Sequence, residues 1–138
     1  MLRFTSFSAI LALLFVGVGS LISSAAVAEE DPFGPIRVAA NRGSYNGRCP
    51  VTIIFTGNIN YAAHPEVFTY SYYWVRSDGA RSRVTNARRS PGQHMLIVRD
   101  TWSLGAAGSH YAVSETLFVN SGNTHLERQS NTVSVTCR

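Results

Sequence analysis

From Cys49 to Asn60 the chain reads CPVTIIFTGNIN, with Val51, Ile53, Phe55, Gly57 and Ile59 on one parity and Thr52, Thr56 and Asn58 on the other. A repeat of two residues belongs to a strand with one face in a core and one in water. The pattern returns where Phe68, Tyr70, Tyr72 and Trp74 alternate with Thr69, Ser71, Tyr73 and Val75. Leu96, Val98, Trp102 and Leu104 share a third parity, which Asp100 interrupts, and a bulge or twist is expected there. Tyr111, Val113, Leu117 and Val119 mark a fourth strand, and Thr132 to Cys137 a fifth that buries Val133 and Val135. Ile36–Ala40 and Arg81–Ala87 are weaker candidates. Ser77-Asp78-Gly79 and Asn120-Ser121-Gly122-Asn123 carry turn chemistry. No segment after residue 28 has useful helical periodicity. The expectation is an all-β antiparallel sandwich or barrel of about seven strands.

The two cysteines, 88 residues apart, constrain the topology further. Cys49 shares the inward parity of Val51 and Ile53, and Cys137 that of Val133 and Val135. One disulfide is the simplest use of two cysteines in an exported chain. Closing that loop stabilises by about 4–5 kcal/mol as an upper figure. With strands alternating in direction, the five clear ones put the thiols at opposite ends. Counting Arg81–Ala87 as a sixth brings them together, so the bridge predicts a strand there; a crossover connection is the alternative. No Cys-x-x-Cys occurs, which disfavours redox chemistry.

Residues 1–28 read as a secretory signal peptide. Arg3 supplies the basic start, Ala9 to Gly19 the apolar stretch and Ala26-Val27-Ala28 the small-residue cleavage pattern. The protein is therefore expected outside the cytoplasm, periplasmic or extracellular, and membrane-bound only if the signal stays uncleaved. Residues 29–35 (EEDPFGP) read as a disordered acidic lead-in, and residues 36–138 as one domain. The formal net charge is +4, and every basic residue is arginine. Lysine-free basicity together with an export signal argues against nucleic acid as a partner.

Tyr45-x-Gly47-x-Cys49-Pro50, Phe55-Thr56-Gly57, Tyr72-x-Trp74-x-Arg76-Ser77-Asp78-Gly79-Ala80, Thr101-Trp102-x-Leu104 and Ser130-Asn131 followed by Cys137 resemble small exported bacterial immunoglobulin-like domains. The resemblance runs from Ile36 to Cys137. It implies a seven-stranded immunoglobulin-like sandwich used for binding, adhesion or spacing, and it brings no catalytic residues with it. Fold likeness alone does not supply a function. Trp74 takes the place of a core tryptophan, while the cysteine pair would close one end of the sandwich rather than join two strand middles.

Chemistry-bearing motifs are scarce. His64, His94, His110 and His125 lack ligand spacing, and no metal or other cofactor is expected. No nucleophile elbow or carboxylate pair is legible, so the chain reads as a non-enzyme, with a small hydrolase or metal carrier as the remote alternative. Tyr70-Ser71-Tyr72-Tyr73-Trp74 offers a sugar-stacking platform only if its rings face outward. Alternation instead places Tyr72 and Trp74 in the core and Tyr73 outside. In an alternating sandwich the loops Asn60–Val67, Arg88–Gln93 and Asn120–Gln129 gather at the end opposite the disulfide. Tyr61, His64, Arg88, Arg89, His125 and Arg128 then form a candidate surface for a protein or an anionic envelope component. The competing expectation is a ligand-free structural or accessory domain of the envelope.

Overall fold

The computed structural model of the chain describes residues 31–63 and 66–138. Residues 1–28, read as a signal peptide, and His64 lie outside the described residues. Ten strands and no helix occur among the described residues: β1 (Phe33–Ala40), β2 (Ser44–Gly47), β3 (Val51–Tyr61), β4 (Thr69–Arg76), β5 (Thr85–Arg88), β6 (Met95–Leu104), β7 (His110–Val113), β8 (Glu115–Ser121), β9 (Thr124–Gln129) and β10 (Val133–Cys137).

They form three sheets, ordered β1-β3-β6, β5-β4-β8-β9 and β2-β10-β7. Every pairing is antiparallel except β2 with β10. The count exceeds the expected seven for local reasons. A single residue, Ser114, separates β7 from β8, where the backbone carbonyl of Ser114 accepts from Ser77 N–H and the Ser77 hydroxyl accepts from Ser114 N–H. Residues Ser130–Thr132 separate β9 from β10, and the Ser130 hydroxyl there accepts from Glu115 N–H. The segment Asn120–Gln129, expected as a loop, is instead the β8–β9 hairpin. Its turn is Gly122-Asn123, with Gly122 at φ 54°. β9 carries one inward apolar residue, Leu126, too faint a pattern to read as a strand.

Three other expectations meet corrections. Asp100 makes no bulge: the β3–β6 register runs unbroken from Val51↔Leu104 to Asn60↔Met95, with Asp100 opposite Phe55. The register shift lies instead in β1, between Phe33 and Ile36. β1 also begins three residues before Ile36, inside the stretch read as lead-in, because Phe33 is buried against Tyr61, Phe68 and Tyr70. The Arg81–Ala87 segment is a strand only at its end, Thr85–Arg88. Arg81 makes an isolated bridge to Val75.

The alternating residues of β3 meet those of β4, β6, β8 and β10 in one core. Ile53, Phe55, Ile59, Leu117, Val119 and Val133 are fully buried. Each such side chain contributes roughly 1.5–3 kcal/mol of transfer free energy. At Gly57 the β1-β3-β6 sheet makes a close approach to side chains of the four-stranded one. A methyl group on it would lie 2.6 Å from Leu117 Cδ2 and 3.2 Å from Trp74 Cη2. Cys49 and Cys137 are bonded, with Cα atoms 5.3 Å apart, and the link closes the end where β3 begins and β10 finishes. Such a bond is consistent with an oxidising, exported compartment.

Candidate binding surface

At the far end from the disulfide, four aromatic rings form a knot. Phe33, Tyr61, Phe68 and Tyr70 pack with centroids 5.3–6.4 Å apart, mostly edge to face. The Tyr61 and Tyr70 hydroxyls hydrogen-bond at 2.6 Å, and burial pushes the acidity constants of both up, so they stay neutral. Arg89 is buried above Tyr61, its guanidinium 5.6 Å from the ring centroid. It donates from Nε to Gln93 O and from Nη1 to Glu66 O, joining two loops. The sequence reading has Tyr61 and Arg89 facing a ligand; they are instead parts of the core and its lid. Tyr61 continues the inward parity of Ile59 and Arg89 that of Ala87, a signal that assignment to loops overrides.

The other candidates divide by parity. His125 and Arg88 lie on the outer face of the β5-β4-β8-β9 sheet. Arg128 has the opposite parity on β9, opposite Leu117, and lines a groove with Asp31, Phe33 and Pro35 between β9 and β1. The structure therefore brings Arg88 and His125 onto one face and parts them from Arg128.

That outer face is built in rows by the strand register. The first pairs Arg88 with Thr69. The second runs Asn86–Ser71–Asn120–His125 across all four strands, with His125 Nδ1 and Asn120 Oδ1 2.7 Å apart. The third holds Tyr73, Phe118 and Glu127. Tyr73 and Phe118 stack nearly parallel, centroids 5.0 Å apart, and Arg81 lies 3.7 Å over the Tyr73 ring from the β5 side. Both faces of Tyr73 are thus covered, which leaves ring edges rather than a flat stacking platform. Tyr70 and Trp74 are buried inside, in keeping with their parity.

Arg81, Arg83 and Arg88 are exposed along the β5 side of this sheet, and among the described residues none has a carboxylate within ion-pair distance. No acidic residue occurs between Asp78 and Asp100 in the sequence. Between Arg88 and the β8–β9 turn, Thr69, Ser71, Asn86, Asn120 and Ser121 line a shallow open depression.

A second cluster was missed by sequence reading. Arg76 donates to Glu115 Oε1 at 3.3 Å, lies 3.6 Å from Asp100 Oδ2, donates to Thr101 O at 2.8 Å and stacks over Trp102. Glu115 has no solvent exposure, and its Oε2 has no hydrogen-bond partner. Burial pushes its carboxyl up to about 7; the Asp100 charge adds to the rise and Arg76 opposes it. A carboxyl titrating near neutrality beside a cation has the makings of a general acid. With no surface open to solvent, Glu115 meets no substrate, and the cluster is a tie between β4, β6 and β8. Parity would have located it: Arg76 follows Tyr72 and Trp74, Glu115 follows Tyr111 and Val113, and Asp100 sits between Val98 and Trp102.

Among the described residues, no group of three or more His, Cys, Asp or Glu side chains is placed to hold a metal ion. No family model matches the chain, and no curated protein or solved structure matches it.

Proposed function

We propose that the protein is an exported, non-enzymatic immunoglobulin-like module that binds an acidic partner in the cell envelope. The fold half of the reading is supported by how the ten segments join. β1 and β2 read as one edge strand that changes sheets, β7 with β8 and β9 with β10 as two interrupted strands, and these leave seven chain paths. The parallel contact of the first path with the last, beside two antiparallel layers, fits an immunoglobulin-like sandwich.

The observation that carries the binding half is the exposed row Arg81, Arg83 and Arg88 without carboxylate partners. Arginine engages carboxylates and phosphates bidentately, and pairs left open on a rigid sheet can be completed by a partner. Relative to the loop end read from the sequence, the surface shifts sideways, keeps Arg88 and His125, and loses Tyr61 and Arg89. Cosedimentation of the disulfide-bonded protein with isolated envelope material tests it. The combined Arg81→Ala, Arg83→Ala, Arg88→Ala variant should lose most of its pelleting at moderate salt, and undiminished pelleting would remove the proposal.

A further inference from the structure

The acidic partner's chemistry follows from what lies beside the arginines. We infer that the outer face of the β5-β4-β8-β9 sheet binds an acidic saccharide chain, with Arg88 on a sugar carboxylate and the neighbouring hydroxyl and amide side chains on its hydroxyl groups. This rests on the acidic-partner reading and narrows it.

Three features favour such a ligand. The depression between β5 and the β8–β9 turn is lined by Thr69, Ser71, Asn86, Asn120 and Ser121 alongside Arg88. Hydroxyls and carboxamides donate and accept at once, which matches sugar hydroxyls, themselves both donors and acceptors. His125 takes up Asn120 Oδ1, so the Asn120 amide N–H groups remain for a ligand. Lastly, the Arg81 guanidinium lies over the Tyr73 ring and Arg88 stands level with Thr69, four residues apart along β4, or roughly 13 Å at strand rise. That spacing suits an extended chain bearing repeated charges rather than a single small anion.

An acidic peptide added as a further strand is the main competitor, and the edge suits it poorly. β5 offers only four residues, and Arg83 O already accepts from the Ser82 hydroxyl. Ring stacking plays no part in the proposed recognition, since Arg81 and Phe118 flank Tyr73. Glu127, the carboxylate of this face, lies on β9 beyond Phe118, away from the Arg88 corner.

Calorimetric titration of the disulfide-bonded protein with oligogalacturonate, neutral oligogalactose and poly-glutamate tests the inference. Oligogalacturonate should bind, weakening with salt, and the neutral sugar should bind at least tenfold more weakly. Arg88→Ala should weaken oligogalacturonate binding by about tenfold to a hundredfold, the worth of a charge-assisted hydrogen bond. Asn86→Ala should weaken it less, and Arg128→Ala on the opposite parity should not. Arg88 and Asn86 are exposed, so neither change threatens the fold. Poly-glutamate binding without oligogalacturonate binding overturns the saccharide and leaves the acidic-partner reading standing. Failure of both polyanions, together with arginine-independent pelleting on envelope, overturns both. Oligogalacturonate binding that survives Arg88→Ala places the sugar elsewhere and overturns the site.

Discussion

Replacing Glu115 by glutamine should make the protein more stable at pH 8 and leave it nearly unchanged at pH 4.5. The carboxyl titrates near 4.5 when solvated and is pushed up to about 7 in the fold. Between those values the folded chain holds a proton that the unfolded chain has released, so stability falls as pH rises through the window. At 1.36 kcal/mol per pH unit, the cost at pH 8 approaches about 3 kcal/mol. Glutamine keeps the shape, accepts from Arg76 through its oxygen, and can donate to Asp100 through its amide. It mimics the protonated acid at every pH. Urea unfolding at pH 5, 6, 7 and 8, followed by tryptophan fluorescence, measures the gap. For a domain of this size a gap of that order displaces the midpoint by at least about 1 M. Asp100→Asn supplies a graded control: it removes the like charge but not the burial, so the slope should shrink without vanishing. Parallel profiles for wild type and Glu115→Gln, or a wild type that gains on the variant as pH rises, would refute the reasoning.

Other perturbations separate structure from binding. Arg89→Ala should lower stability by about 2–3 kcal/mol, because it strands two loop carbonyls and opens the roof over Tyr61; a fully folded variant of unchanged melting temperature contradicts that role. Tyr61→Phe removes only the 2.6 Å hydroxyl pair and should cost about 1 kcal/mol in chemical unfolding. A methyl group on Gly105 would stand 2.6 Å from Pro50 Cα, so the two backbone segments must move apart and Gly105→Ala should cost about 1–3 kcal/mol. Replacing both cysteines by serine should lower stability by up to about 4–5 kcal/mol, with reduced wild type as the matching measurement.

What the sequence made legible, and what it did not, follows from how strongly each segment alternates. β3 buries every second residue and β4 buries Tyr70 and Trp74 with Tyr72 half-buried between them, and their faces could be assigned from residue types alone. The cysteine pair located one end of the domain, because two inward parities had to meet. β9 escaped because THLERQ presents one apolar residue to the core and borrows its order from β8. The candidate surface failed at the same level. Tyr61 and Arg89 are polar-tipped residues at strand ends, where sequence reading assumes exposure. Here their tips are satisfied by each other's neighbourhood: a second tyrosine and two loop carbonyls. The Asp100 interruption, read from the sequence as a backbone irregularity, is a change of side-chain type on a regular strand, and its partner Arg76 lies on β4.

The placement of the disulfide also determines how the domain bears load. A pull applied at Asp31 and Arg138 enters the C-terminal side one residue from Cys137 and crosses the sulfur link directly to Cys49. Everything from Pro50 to Thr136, the proposed ligand face among it, is bypassed and feels no tension along its backbone. Only the stretch from Asp31 to Cys49 can lengthen, to roughly 60 Å when drawn straight. Tugged at both ends, the protein behaves as a short leash with a sheltered grip.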